Sequence, residues 1–564
     1  MLLFGAMAAR LVVLQVLESP AYARLAAQQR QREVEFPARR GTIFDRNGER
    51  LAISVDLKTV FADPALVESP SAAARRLAPV LGVRAAALAE RLRGAVPGDR
   101  FEYLARQVDP DVAAKVEELA VPGVYLEDEP KRLYPAARVA SHVLGFVNVE
   151  GDALAGVEQQ YDELLRGRPG RMVLEQDPAG RPLPQARFEY ERARQGRSIY
   201  LTIDKELQLF TETALAQAVQ RYHANWGTAI IVRPSSGEIL AVANVPSFDP
   251  NEFSDASDDE RRNRAFTDAY EPGSVYKIVT AAAALEDGVV TPQTTLTVPY
   301  ALPYADRVIH DSHSHGTVPM TVREIIEQSS NVGTVKIGLE LGGARLDHYM
   351  RKFGFGRPTG LDFPGESPGI VLDRADWSGS TIANLPIGQG VAVTPLQMVM
   401  AFATLANDGV WVEPKLVHAI TAARGRPVAS GPGEAHRVVS PETARAMRDI
   451  LAGVVENGTG TEARIPGYAV AGKTGTAQKP EAGGYGDSYV ASFGGVVPAK
   501  RPELAALVVL DDPDPIWGGA TAAPTFRTIV GYALRHLGVT PTGDAAEAAQ
   551  LIEESQVDAG QIHD

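Results

Sequence analysis

Three short stretches of this chain hold the residues best suited to covalent chemistry. In EPGSVYKIVTAAAALEDG, Glu271 to Gly288, Ser274 follows a Pro-Gly break and opens an apolar helical run. Lys277 lies three residues on, about one turn away on the same face. A serine hydroxyl attacks poorly until its proton is removed, and a partly desolvated lysine can serve as the base. At a helix start, free backbone N–H groups favour developing negative charge. In EIIEQSSNVGTVKIG, Ser329 could relay a proton and the Asn331 amide could bond a peptide backbone. In VAGKTGTAQ, at the end of a β-run, Lys473, Thr474 and Thr476 could hold a carboxylate, while Gly475 leaves room for close approach. A strand edge beside a pocket can also pair with an extended peptide. Taken singly, each stretch reads equally well as a helix cap, a turn or a strand end.

The elements around these stretches suggest how they are held. Asp204 is a candidate N-cap for a helix over Lys205 to Tyr222. Runs at Ala229 to Val232 and Ile239 to Ala243 flank Pro234–Gly237 and read as a hairpin. Three more strands are expected at Tyr468 to Gly472, Tyr489 to Val497 and Leu504 to Leu510, then a helix over about Pro524 to Leu537 that stops at Gly538. The pattern between the two strand groups is mostly helical. An antiparallel sheet built from both ends with a helical insert is the simplest architecture. Earlier in the chain, Asn47-Gly48 is a hairpin signal of the type that wants positive φ at both positions. Ser69 to about Leu119 reads as helical with two interruptions.

The chain has 564 residues, 45% of them hydrophobic, enough for more than one core. Its net charge of −14, from 70 acidic and 56 basic residues, argues against a nucleic-acid binder. There is no cysteine, so disulfides, thiolate metal sites and a cysteine nucleophile are excluded. Leu2 to Leu17 is apolar but interrupted by Arg10, shorter than the ~20 residues of a full span. It reads as the outer part of a membrane anchor or as an amphipathic helix, followed by a juxtamembrane helix over Tyr22 to Arg32. The acidic stretch from Thr540 to Asp564 reads as a mobile tail.

The ordered trio of S-x-x-K, S-x-N and K-T-G resembles that of penicillin-binding proteins and class A β-lactamases. RGTIFDRNGERLA, RLYPAARVASHVLGFV, GVEQQYDELLRGRPG, NRAFTDAYEPGS and IGQGVAVTPLQM extend the likeness to class B penicillin-binding proteins over nearly the whole chain. The resemblance implies an α+β fold, in which a β-lactamase-like transpeptidase domain has an antiparallel sheet flanked by helices and an all-helical subdomain. An elongated mixed α/β pedestal precedes it. The implied division is a partial anchor at 1–24, the pedestal at 25–195, the transpeptidase domain at 196–540 and the tail at 541–564. The implied activity is peptidoglycan D,D-transpeptidation on stem peptides ending in D-Ala-D-Ala, with β-lactams as inhibitors. Ser274 would be the nucleophile, Lys277 the acylation base and Ser329 the proton relay. Asn331 would hold the peptide, and Lys473, Thr474, Gly475 and Thr476 would serve its carboxylate end. The backbone N–H groups of Ser274 and Thr476 would form the oxyanion hole. No cofactor or metal is implied. Implied partners are the cytoplasmic membrane, with the bulk of the chain outside it, a SEDS-type glycan polymerase and other division proteins.

A class A β-lactamase would carry an E-x-x-L-N stretch, but Glu413-Pro-Lys-Leu416 continues with Val417. FGFGRPTGLDFPGESPGIV together with IGQG and TPLQ looks more like the division (FtsI-like) branch than the elongation branch. A D,D-carboxypeptidase and a penicillin-recognising receptor that never turns over stay open as rivals. His310, His313 and His315 with Asp311 offer metal-type ligands. With no fourth ligand evident, a structural role near the site's rim is the expectation.

Overall fold

Successive residues of one central strand enter two different cores. Ala505, Leu507 and Val509 pack on one side, and Leu504, Ala506, Val508 and Leu510 on the other. A strand covered on both faces reads as a continuous apolar run, which explains the composition of LAALVVL. The computed structural model describes residues 2–13, 31–94, 100–175, 189–422, 425–481 and 484–542.

We label the elements that build the site. The sheet contains β1 (Trp226–Arg233), β2 (Glu238–Val245), β3 (Ala471–Glu481), β4 (Gly484–Val497) and β5 (Leu504–Asp511). Its order is β2-β1-β5-β4-β3, antiparallel throughout. The helices are α1 (Lys205–Arg221), α2 (Lys277–Glu286), α3 (Val322–Glu327), α4 (Asn331–Leu341), α5 (Pro395–Ala406), α6 (Pro441–Glu456) and α7 (Ala522–His536). The first and last of these cover one face through Leu207, Leu215, Phe526 and Ile529. On the other face α5 is buried at every position, and Phe402 presses so close to β4 that a Cβ on Gly494 would meet it at 2.2 Å. This is the α+β architecture expected, with the strand groups joined from both ends of the region.

Three local expectations change. Ser274 does not open an α-helix: it sits in a 3-10 turn, Gly273–Tyr276, and α2 begins at Lys277. Gly273 has φ +56 and donates its N–H to the Gly388 carbonyl, which fixes the tighter turn. The Lys473–Thr476 stretch lies inside β3 and not at a strand end, because pairing with β4 runs on from Ala471 to Glu481. The turn at Asn47-Gly48 has positive φ only at Gly48. There the Asp45 carboxylate accepts the Asn47 and Glu49 amides, which makes the turn without a left-handed asparagine.

In the N-terminal region, Pro70–Leu81, Ala85–Arg91 and Pro110–Leu119 are helical as read, but Glu102–Val108 in the second interruption is a strand paired with Arg50–Ala62. Only Leu104 of that strand is fully buried, so its alternation is faint in sequence. A separate core of Val60, Leu77, Leu88, Leu104 and Val116 holds this distal part together. Nearer the sheet, Ile199–Leu201 pairs in parallel with Ile43–Phe44 and antiparallel with Val417–Thr421. Position 196 therefore falls just before a strand that joins both halves. Leu2–Val12 is helical, and among the described residues no helix is long and apolar enough to cross a membrane. Most of the expected juxtamembrane helix lies outside the described residues, but Gln31–Phe36, which begins within its end, is a strand. Residues 543–564 of the expected tail also lie outside them.

Candidate active site

Ser274 is held from three sides. Behind it, Gly388 at φ +75 lies so near that a Cβ would meet the Gly273 carbonyl oxygen at 2.3 Å. Beside it, Glu271 accepts the Gly390 N–H at 2.9 Å and the Tyr485 hydroxyl at 2.9 Å. Burial holds the Glu271 carboxyl above its usual range. Across from it, a Cβ on Gly475 would strike Ser492 Oγ at 2.3 Å, Val275 Cγ1 at 3.0 Å and the Pro272 carbonyl at 3.1 Å. The close approach allowed by Gly475 is thus that of β3 to the serine's own turn. In a 3-10 turn, side chains three apart eclipse, so Ser274 and Lys277 share a side.

Lys277 is fully buried. Its Nζ reaches the Ser329 carbonyl at 2.6 Å, Asn331 Oδ1 at 2.7 Å and Ser329 Oγ at 3.2 Å. Burial pushes its pKa down to about 7, opposed by the Asp311 charge. Lys473, also fully buried, donates to the same Ser329 Oγ at 2.8 Å. Its pKa is driven well below the lysine value by burial and by Lys277. The Lys277 ammonium, converging on the same hydroxyl, disfavours charge on Lys473.

Ser329 occupies the turn between α3 and α4 with φ +58, a left-handed conformation that non-glycine residues seldom adopt. Its neighbour Ser330 caps α4 by accepting the Gly333 N–H and donates to Asp311 at 2.8 Å. Asn331 is engaged at both ends: its oxygen by Lys277, and one N–H by the His310 carbonyl at 2.9 Å. One amide hydrogen is left for a ligand.

Ser274, Ser329, Asn331, Thr474 and Thr476 line one cleft of about 200 Å3. The two lysines stand behind its wall rather than on it. Since β3 is the edge of the sheet, one of its sides is free to pair with an extended chain. Thr476 Oγ1 accepts the Gly518 N–H at 3.1 Å, and Thr474 Oγ1 shares a 2.7 Å hydrogen bond with Thr459.

The cleft also contains His313 of the histidine segment, and Thr459, Gln389 and Trp517, which sequence reasoning passed over as site residues. Gln389 belongs to the IGQG stretch, so that stretch was a usable signal. Thr459 and Trp517 had none, since each arrives from a loop far along the chain. His313 and Trp517 stack across the mouth, ring centroids 6.5 Å apart. Among the described residues, no group of histidine and carboxylate side chains is arranged to hold a metal. Asp311 instead accepts from Ser330, from the Val332 N–H at 2.9 Å and from His315 at 3.0 Å. The histidine segment borders the cleft through His313 and reaches Asp311 through His315.

Residues 227–531 match the penicillin-binding protein transpeptidase domain, and residues 35–201 the penicillin-binding protein dimerisation domain. The chain belongs to the class B penicillin-binding proteins. Peptidoglycan D,D-transpeptidase FtsI of Escherichia coli (strain K12) is 34% identical, covering 95% of this penicillin-binding protein and 91% of its relative. Penicillin-binding protein PbpB of Mycobacterium tuberculosis is also 34% identical, covering 95% and 84%. The crystal structure of penicillin-binding protein 3 from Mycobacterium tuberculosis complexed with aztreonam superposes with a TM-score of 0.72 at 32% identity, covering 90% of this chain and 98% of that one. A peptidoglycan synthetase from Bifidobacterium adolescentis gives a TM-score of 0.76 at 31% identity, covering 91% and 98%.

Proposed function

We propose that this penicillin-binding protein is a peptidoglycan D,D-transpeptidase that works through an acyl-enzyme at Ser274. The observation that carries the reading is the convergence of two buried lysines on one serine hydroxyl behind a cleft that Ser274 and a free strand edge both line. A stem peptide ending in D-Ala-D-Ala lies along the β3 edge. Its terminal carboxylate meets the Thr474 and Thr476 hydroxyls and, by its negative charge, favours the protonated form of Lys473 behind them. Neutral Lys277 takes the Ser274 proton as Oγ bonds to the penultimate carbonyl carbon. The Ser274 and Thr476 amides receive the oxyanion, an interaction whose loss costs about 10²–10³ in rate. The proton passes through Ser329 to the departing D-Ala nitrogen as the peptide bond breaks. An amine of a neighbouring stem then attacks the ester, forms a new amide and returns the proton to Ser274. A β-lactam stops at the ester because its leaving group stays tethered.

The working division remains an anchor segment over 1–24, a pedestal over 25–195, a transpeptidase domain over 196–540 and a tail over 541–564. A septal role fits the resemblance to the division branch, with a SEDS-type glycan polymerase and other division proteins as partners. The apolar start of the chain supports a membrane attachment with the bulk of the protein extracytoplasmic.

The test combines labelling by a fluorescent penicillin with a cross-linking assay on lipid-linked precursor and a partner polymerase. Cross-linked stems that vanish in Ser274→Ala support the reading. Hydrolysed, D-Ala-trimmed stems alone would make the protein a carboxypeptidase. Labelling without any product would make it a receptor.

A further inference from the structure

The imidazole of His315 faces a hydrogen-bond acceptor at each nitrogen. Nδ1 lies 2.6 Å from the Gly316 carbonyl, and Nε2 lies 3.0 Å from Asp311 Oδ2. A neutral imidazole can donate at only one nitrogen, so both contacts are satisfied together only by the imidazolium. Both acceptors push the His315 pKa up, Asp311 foremost. The Asp311 carboxylate is buried and holds Ser330 and the Val332 amide, the first turn of α4. It is therefore fixed against the turn that presents Ser329 and Asn331 to Lys277. The same negative charge raises the basicity of Lys277, against the burial that lowers it. A carboxylate that positions the site thus works against the base unless a cation offsets it.

We propose that His315 is a positioning residue of the reaction: its imidazolium, clamped between Gly316 and Asp311, fixes the carboxylate that orients the Ser329–Asn331 turn and offsets that carboxylate's charge at Lys277. The other groups facing the ring are few. Tyr300 packs edge-on with centroids 6.1 Å apart. Gln328 just past the end of α3, Met320 and Ser330 share a cavity with it and carry no charge, and His313 of its own loop opens onto the same space. Among the described residues, Asp311 is the only carboxylate within ion-pair distance of His315. Lys277 and Lys473 both reach Ser329 Oγ, whose neighbour Ser330 is held by Asp311.

This inference rests on the reading of Lys277 as the acylation base. Its test is the pH profile of Ser274 acylation by a fluorescent penicillin in the full chain, where the acid limb reports the base. Replacing His315 by glutamine keeps a donor for Asp311 but removes the cation, so Lys277 holds its proton more tightly. The acid limb then moves to higher pH, by about half a unit or more. His315→Lys, which returns a positive charge, moves it back. In an Asp311→Asn background the imidazole loses the carboxylate that favours its charged form, so the His315→Gln substitution no longer shifts the limb. A rate loss equal at every pH, or a shift that persists in the Asp311→Asn background, overturns the proposal. If either His315 variant unfolds, Asp311→Asn alone decides: its limb must move to lower pH, and an unmoved or raised limb overturns the inference. Absence of any Ser274 labelling in the unaltered protein would instead sink the proposed function itself.

Discussion

Two regions of this protein bury charge, and they do so in opposite ways. In the N-terminal half, Glu158 is fully buried between two guanidinium groups, 2.5 Å from Arg40 and 2.6 Å from Arg132. Arg40 also reaches Asp162 at 2.6 Å. Burial opposes the charge on Arg40, yet Glu158 and Asp162 outweigh it and keep its pKa above the ordinary value. In the catalytic half, Lys277 and Lys473 are buried with like charge and meet at a neutral hydroxyl. Opposite charges that satisfy each other lock a structure. Burial takes the charge from Lys277, and the lone pair that is left is what a serine nucleophile needs.

The contrast is broken most severely at Lys277. Lys277→Ala removes the base and should lower penicillin acylation by about 10²–10⁴ while the protein stays folded, read by labelling rate beside thermal unfolding. Intact protein should acylate faster as pH rises through about 7, where Lys277 loses its proton. The same lysine makes the fold more stable as pH climbs from about 7 to 10.5, because across that window the unfolded chain binds the extra proton. Glu158→Gln tests the other side: it leaves buried guanidinium charge short of a partner. It should cost about 3–5 kcal/mol in a denaturant titration, with the acylation rate of the folded fraction unchanged. Gly475→Ala sharpens the boundary between structure and chemistry. Its methyl group presses on Ser492 and on the Pro272–Val275 turn, so acylation should fall about tenfold or more. Its stability loss should stay near 1–3 kcal/mol. The smallest effect belongs to Gly48→Ala, with open space but φ +88. About 1 kcal/mol should be lost and labelling should not change.

Local pattern made the catalytic half legible. Ser274, Lys277, Ser329, Asn331 and the Lys473–Thr476 strand each carry a short-range signature, and the structure brings them to one site. The unbroken apolar run LAALVVL and the cap at Asp204 likewise announce β5 and α1. What stayed hidden depends on distant partners. Arg40 and Glu158 are 118 positions apart, and nothing local distinguishes either from a surface charge. The hold of Asp311 on Ser330 and Val332 was not legible, because those partners follow some twenty residues later. The turn at Asp45 hid behind the stronger Asn-Gly signal two positions on.

The three-residue strand Ile199–Leu201 acts as a splice. With Ile43–Phe44 on one flank and Val417–Thr421 on the other, it laces the base of the N-terminal half into the catalytic body through backbone hydrogen bonds and a shared core. Such a joint resists bending where a bare linker would flex. A pull or twist applied at the base of the N-terminal half is handed directly to the segment that leads into α6.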